Sequence, residues 1–319
     1  MAGEFRLTKA RLAVGIVALA LLSGPAKSQP AAAFEVTGPH KVVMRQDPSL
    51  PNHTIYAPDD LRALKPHSLP VVVWGNGACA NAGNAFERYL AEIASHGFLV
   101  VANGPIEATP LGRPPAPGAA MPALPTGGPP PPSSSVQQML DAITWAQGSS
   151  PYSNAIDAGR IAVAGQSCGG LQALVAAADP RVKTAVIMNS GVLRKLPVIP
   201  GAPANLVNVQ SLPKPDLTRL HTPMIYIIGG PTDIAYENAN GDFDEIKGVP
   251  VFRVDLDTGH NGSLWQPHGG RFAEIAAAWL EWRLKGDSAA GRQFTGEACG
   301  LCRTSGLTVR TKNMAGVQP

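Results

Sequence analysis

The ten residues Ile161–Gly170, IAVAGQSCGG, constrain this chain more than any others. A β-prone run enters Gly165-Gln166-Ser167-Cys168-Gly169, and LQALVAAA continues as a helix. The segment is therefore a strand, a sharp turn and a helix, with a serine at the apex. Glycine stands two residues to either side because strand and helix backbones pass too close there for a Cβ. Such a turn lifts the serine hydroxyl clear of the sheet on a strained backbone. The next amide, that of Cys168, points into the space above the hydroxyl and can stabilise an oxyanion. The alternative is a glycine-softened turn whose serine merely caps the helix.

The flanking sequence supplies a sheet for this turn. FEVTGPHKVVMRQ and HTIYAP alternate apolar and polar residues, as early antiparallel strands do. LPVVVWGNG (69–77) is a continuous apolar run and reads as a buried central strand. A helix follows with Phe86, Leu90 and Ile93 on one face and Gly97 as its stop, and then the strand FLVVANG. SSSVQQMLDAITWA is a serine-capped helix with Val136, Leu140 and Ile143 at core spacing. Beyond the serine turn come the strands VKTAVIMNSG, PMIYIIGG and VPVFRVDLDTGH, the last of them before a helix from about Gly270 to Lys285. That helix shows Phe272, Ile275, Trp279 and Leu280 on one face. Strands and helices alternate from residue 69 onward, so the fold class is α/β, a mostly parallel sheet with helices on both faces.

Residues 1–28 read as a secretory signal peptide, with Lys9 and Arg11 before LAVGIVALALL and small residues after it. Cleavage is expected near Ser28, with Ala33 as the other candidate and a retained membrane anchor as the alternative. A secreted or periplasmic location follows, free of the membrane after cleavage. The domain spans 34–290, with a proline-dense, nearly uncharged loop at 104–132, expected to be a flap at the cleft rim rather than a linker. Residues 291–319 read as a tail carrying Cys299-Gly300-Leu301-Cys302. The net charge of +3 is slight, and no lysine or arginine block suggests a nucleic-acid partner.

A serine hydroxyl needs a base to act as a nucleophile at neutral pH, and the base needs an orienting acid. His260 follows the predicted last strand and Asp233 follows the strand before it, so both emerge at the same sheet edge as Ser167. The chain order serine, aspartate, histidine is the one that this architecture imposes. The roles expected are Ser167 nucleophile, His260 general base then acid, and Asp233 holding the imidazole tautomer. His268 and His96 are competing histidines at helix ends, Asp257 is too near His260 in sequence, and Asp242 and Glu237 are alternative acids. A second oxyanion amide is expected from the loop after VVVWGNG, at Ala78 or Cys79, beside that of Cys168. Trp265, Tyr236 and Gln166 are candidate substrate-binding residues, with packing as the alternative for the two aromatics.

Taken together, LPVVVWGNG, the helix ending in ASHGF, SSSVQQMLDAITWA, AGQSCGG, TPMIYIIGGPTD and DTGHNGS resemble the α/β-hydrolase superfamily. The resemblance is to its secreted polyester-hydrolase, cutinase-like and dienelactone-hydrolase-like branch, over about residues 40–285. It implies an α/β-hydrolase fold and hydrolysis of carboxylic esters through an acyl-enzyme, without metal or cofactor. Small aryl or polyester-type esters are the favoured substrates, and the protein is expected to be a monomer. The chain departs from that branch in Gln166 and Cys168 and in its proline-dense flap. A lactone or peptide hydrolase, an acyltransferase on the same triad, and a silent binding protein are the alternatives.

This arrangement puts Cys79 and Cys168 both at the oxyanion site, where a disulfide is expected, with two buried thiols as the alternative. Cys299 and Cys302 suit a local disulfide, since neither a redox junction nor further zinc ligands lie nearby. Four cysteines allow three pairings, and sequence alone does not choose among them.

Overall fold

Seven apolar residues in a row, LPVVVWG, build a strand with no polar face: β3 (Leu69–Gly75) is buried along its whole length. Its side chains alternate between two cores, Leu69, Val71 and Val73 in one and Val72 and Trp74 in the other. β5 (Ile156–Gln166) repeats the pattern, with Ile161 and Val163 opposite Ala162 and Ala164. A sheet apolar on both faces needs a helix layer on each. A computed structural model describes residues 34–110, 133–148, 150–194 and 213–318, all within the unit Ala32–Pro319. The expected signal peptide and most of the 104–132 loop lie outside the described residues.

The remaining strands are β1 (Val42–Arg45), β2 (His53–Pro58), β4 (Leu99–Asn103), β6 (Val182–Met188), β7 (Met224–Ile228), β8 (Val251–Leu256) and β9 (Leu307–Lys312). They form one sheet in the order β1-β2-β4-β3-β5-β6-β7-β8-β9. The pairings from β4 through β8 are parallel, and β1, β2 and β9 join antiparallel. Helices α1 (Glu87–Ser95) and α5 (Gly270–Lys285) cover one face. Helices α2 (Val136–Gln147), α3 (Cys168–Ala176) and α4 (Tyr236–Glu245) cover the other. The class is therefore α/β. Among the described residues, no helix is long and apolar enough to cross a membrane.

Two expectations are corrected. The buried face of α2 is Met139, Ala142, Ile143 and Ala146, whereas Val136 and Leu140 are half-buried. The alanines let α2 seat closely among Ala173 and Leu174 of α3, and that fit outweighs the larger apolar side chains. Residues 291–319 are not a tail outside the domain. After the short helix α6 (Ser288–Gly291), Phe294, Cys299 and Leu301 enter the core, and β9 pairs with β8 from Leu307↔Leu256 to Lys312↔Val251. The strand that leads to His260 is consequently not the last.

Candidate active site

Register fixes where the loops meet. Gly75 at the end of β3 lies opposite Gly165, and Gln166 lies opposite Met188, so three parallel strands finish at one edge of the sheet. The turn between β5 and α3 is as tight as its glycines require. A Cβ on Gly165 would lie 2.2 Å from the carbonyl oxygen of Gly169, and one on Gly169 would lie 2.0 Å from that of Gly75. Ser167 has φ 54° and ψ −119°, a conformation that costs a non-glycine residue roughly 1–3 kcal/mol. The surroundings hold it there. Its N–H donates to Met188 at 2.9 Å, and its carbonyl accepts from Ser190 Oγ at 2.6 Å and from the amides of Gly170 and Leu171.

His260 Nε2 stands 3.0 Å from Ser167 Oγ, and Nδ1 stands 2.6 Å from Asp233 Oδ1. With the Nδ1 proton directed at the carboxylate, Nε2 is left as acceptor for the serine hydroxyl. Asp233 is buried and fully engaged. Oδ1 also accepts from the Ala235 amide at 2.9 Å, and Oδ2 accepts from Asn189 Nδ2 at 2.7 Å and the Gly229 amide at 3.0 Å. Burial pushes this carboxyl up, but the bonds from His260, Ala235 and Asn189 and the charge of His260 outweigh it and hold it below the usual range.

The competing groups are occupied elsewhere. Asp242 is buried against Tyr226 and Arg194, Glu237 is exposed, and His96 lies between Glu92 and Glu281. His268 turns to the carbonyl of Glu35, and Asp257 is exposed.

The loop after β3 reaches the serine turn through a disulfide. Cys79 is bonded to Cys168, Cα to Cα 5.2 Å, and Cys299 is bonded to Cys302 at 5.0 Å. Ala78 and Cys79 are both left-handed, with φ 54° and 48°. The Cys168 amide is the first of α3 and has no acceptor within the helix, and the Ala78 amide donates to no described residue. Sequence reasoning missed three buried side-chain amides, two of which hold this loop. Asn76 accepts from Trp74 Nε1, and its Nδ2 lies 2.7–3.1 Å from the carbonyls of Ala80, Ala82 and Asn103. Gln172 of α3 donates to the carbonyl of Ser134, whose own amide donates to Cys79. Asn189 braces Asp233. Their only sequence signal is polarity at positions the apolar pattern assigns to the interior.

Two of the expected substrate residues make packing contacts, and the third links two loops. Trp265 stacks on Phe86 at 4.8 Å and donates to the carbonyl of Ala85. Tyr236 lies under the guanidinium of Arg253, 4.9 Å from its ring centre. Gln166 is buried, and its Nε2 donates to the carbonyl of His260 at 3.0 Å. Its Oε1 sits directly over Gly77, where a Cβ would come within 2.0 Å. The residue before the serine thus spans the histidine loop and the loop after β3.

Among the described residues, no group of three or more His, Cys, Asp or Glu is arranged to hold a metal ion. No protein-family model matches the chain, and no curated protein matches it.

Proposed function

We propose that this chain is a secreted serine hydrolase of the α/β-hydrolase superfamily that cleaves carboxylic esters through an acyl-enzyme. The observation that carries the reading is the hydrogen-bonded series Ser167–His260–Asp233, drawn from three separate loops at one sheet edge. In acylation His260 Nε2 takes the hydroxyl proton as Ser167 Oγ bonds to the ester carbonyl carbon. The carbonyl oxygen gains the negative charge and is met by the Cys168 amide at the positive end of α3, with Ala78 or Cys79 as second donor. The C–O bond to the alcohol then breaks, and the leaving alkoxide takes the proton from His260. Water repeats the sequence to release the acid and restore the serine. Asp233, held ionised by its donors, keeps Nδ1 protonated and stabilises the imidazolium in both halves.

The choice of small aryl or polyester-type esters rests on the sequence, whose pattern contains no long helical insertion that would read as a lid. The N-terminal charge-apolar-small pattern and the two disulfides support export. A fluorophosphonate probe should label the wild type and leave Ser167→Ala unlabelled. Hydrolysis of short p-nitrophenyl esters should fall by roughly 10⁴-fold or more in that variant. Equal labelling of the two proteins would overturn the assignment.

A further inference from the structure

Asn189 is the residue just beyond β6, and it is an expensive choice for a buried position. Its backbone is left-handed, φ 44°, which asparagine tolerates better than most residues but not without cost. The side chain is completely buried, and its Oδ1 has no hydrogen-bond partner. A residue present only to fill this space would be apolar and would avoid the roughly 1–3 kcal/mol that an unpaired buried polar atom costs.

What the amide does make is specific. Nδ2 donates to Asp233 Oδ2 at 2.7 Å and to the carbonyl of Gly259 at 3.2 Å. The first partner is the carboxylate oxygen that faces away from His260, and the second is the peptide carbonyl immediately before His260. The Asn189 N–H continues the ladder to β7 through the carbonyl of Ile227 at 3.0 Å. One residue therefore links the ends of β6, β7 and β8. The amide has one possible orientation, because turning it over would set Oδ1 against two acceptors. It also has prepared room: a Cβ on Gly229 would lie 2.9 Å from Nδ2, and one on Gly262 would lie 3.1 Å from Oδ1.

We infer that Asn189 is a positioning residue of the triad, locking Asp233 and the main chain of the His260 loop into one frame so that Oδ1 meets Nδ1. This rests on the reading of Ser167, His260 and Asp233 given above. Asn189 is also one of the donors that hold the Asp233 carboxyl below its usual range against burial, so its loss moves that carboxyl up. The other ionisable groups facing Asp233 are His260 and Asp255, and Asp255 is paired with the buried Arg253.

Two variants separate the amide from the backbone. Asn189→Asp keeps the shape and sets an acceptor against Asp233, while Asn189→Gly removes the amide and relieves the left-handed strain. Cooperative thermal unfolding identifies the folded variants. Three readouts follow: kcat and KM on a p-nitrophenyl ester, the pH dependence of fluorophosphonate labelling, and the NMR resonance of the His260 Nδ1 proton. The expected result in both variants is a kcat lower by on the order of 10²-fold with KM within about threefold. The acid limb of labelling should move to higher pH, and the Nδ1 proton resonance should shift or vanish. Folded variants with wild-type kcat, limb and resonance would overturn the inference. If the wild type itself is not labelled, the ester-hydrolase reading fails instead. The Nδ1 resonance then still decides whether Asn189 sets the His260–Asp233 pair.

Discussion

Cutting the Cys79–Cys168 disulfide should cost the protein both stability and turnover, by amounts that its position sets. The bridge closes a span of 89 residues, whereas Cys299–Cys302 closes a span of three. In the chain-entropy account the longer loop is worth roughly 4.6 kcal/mol at 25 °C and the shorter about 2 kcal/mol. Part of the first figure returns on cutting, because Ala78 and Cys79 can leave the left-handed region, a relief of roughly 1 kcal/mol each. Cys79→Ala/Cys168→Ala should therefore lose roughly 3–4 kcal/mol, on the order of 10 °C in melting temperature for a domain of this size. On the proposed reading, the same relaxation takes away the second oxyanion donor, the amide of Ala78 or Cys79. Loss of one such donor lowers kcat by about 10²–10³-fold. Cys299→Ala/Cys302→Ala should lose about 2 kcal/mol and keep its turnover, since that bridge lies in the segment before β9. Thermal unfolding of the two double variants, with ester hydrolysis beside it, makes the comparison. If the 79/168 variant is no less stable than the 299/302 variant and turns over at the wild-type rate, the reasoning is refuted.

Two other outcomes follow from the structure. Gly169→Ala places its Cβ 2.0 Å from the backbone of Gly75 and should lose at least about 3 kcal/mol in urea unfolding, whereas Gly148→Ala, 3.6 Å from its nearest neighbour, should change little. His96 is raised to about 9 by hydrogen bonds from its ring to Glu281 and Glu92. Its contribution, on the order of 3 kcal/mol, is fully present below pH 6.5 and is lost as pH rises through 9. Wild-type stability should fall over that window while His96→Gln stays flat, and parallel curves would refute it.

The strands that place the candidate site were legible because each is an apolar run long enough to be buried on both faces. LPVVVWG and IAVAG leave no other reading, and the loops after them carry Cys79 and Ser167. Asp233 and His260 were legible because chain order and strand ends restrict where an acid and a base can emerge. α4 was not legible: YENANGDFDE is polar, rich in poor helix formers, and has no side-chain cap. It is held by tertiary contacts of Asp242 with Arg194 and Tyr226, which no local pattern announces. β9 was missed because LTVRTK pairs with a strand some fifty residues earlier, across a disulfide turn that reads as an appendage. Asn76, Gln172 and Asn189 look like ordinary polar residues until their partners from other strands are beside them. The link from Gln166 to the carbonyl of His260 was not legible, because it joins loops 94 residues apart in the chain.

The ninth strand has a practical consequence for anyone shortening this chain. Trimming at residue 290, where the alternation of strands and helices stops, would strip the outer partner from VFRVDL, six buried residues in a row. An uncovered strand edge of that length leaves a row of unpaired backbone N–H and C=O groups and invites sheets from different molecules to join side by side. The loop bearing His260 hangs from that same strand. Loss of solubility and loss of turnover would then arrive together, though no residue near the serine had been touched.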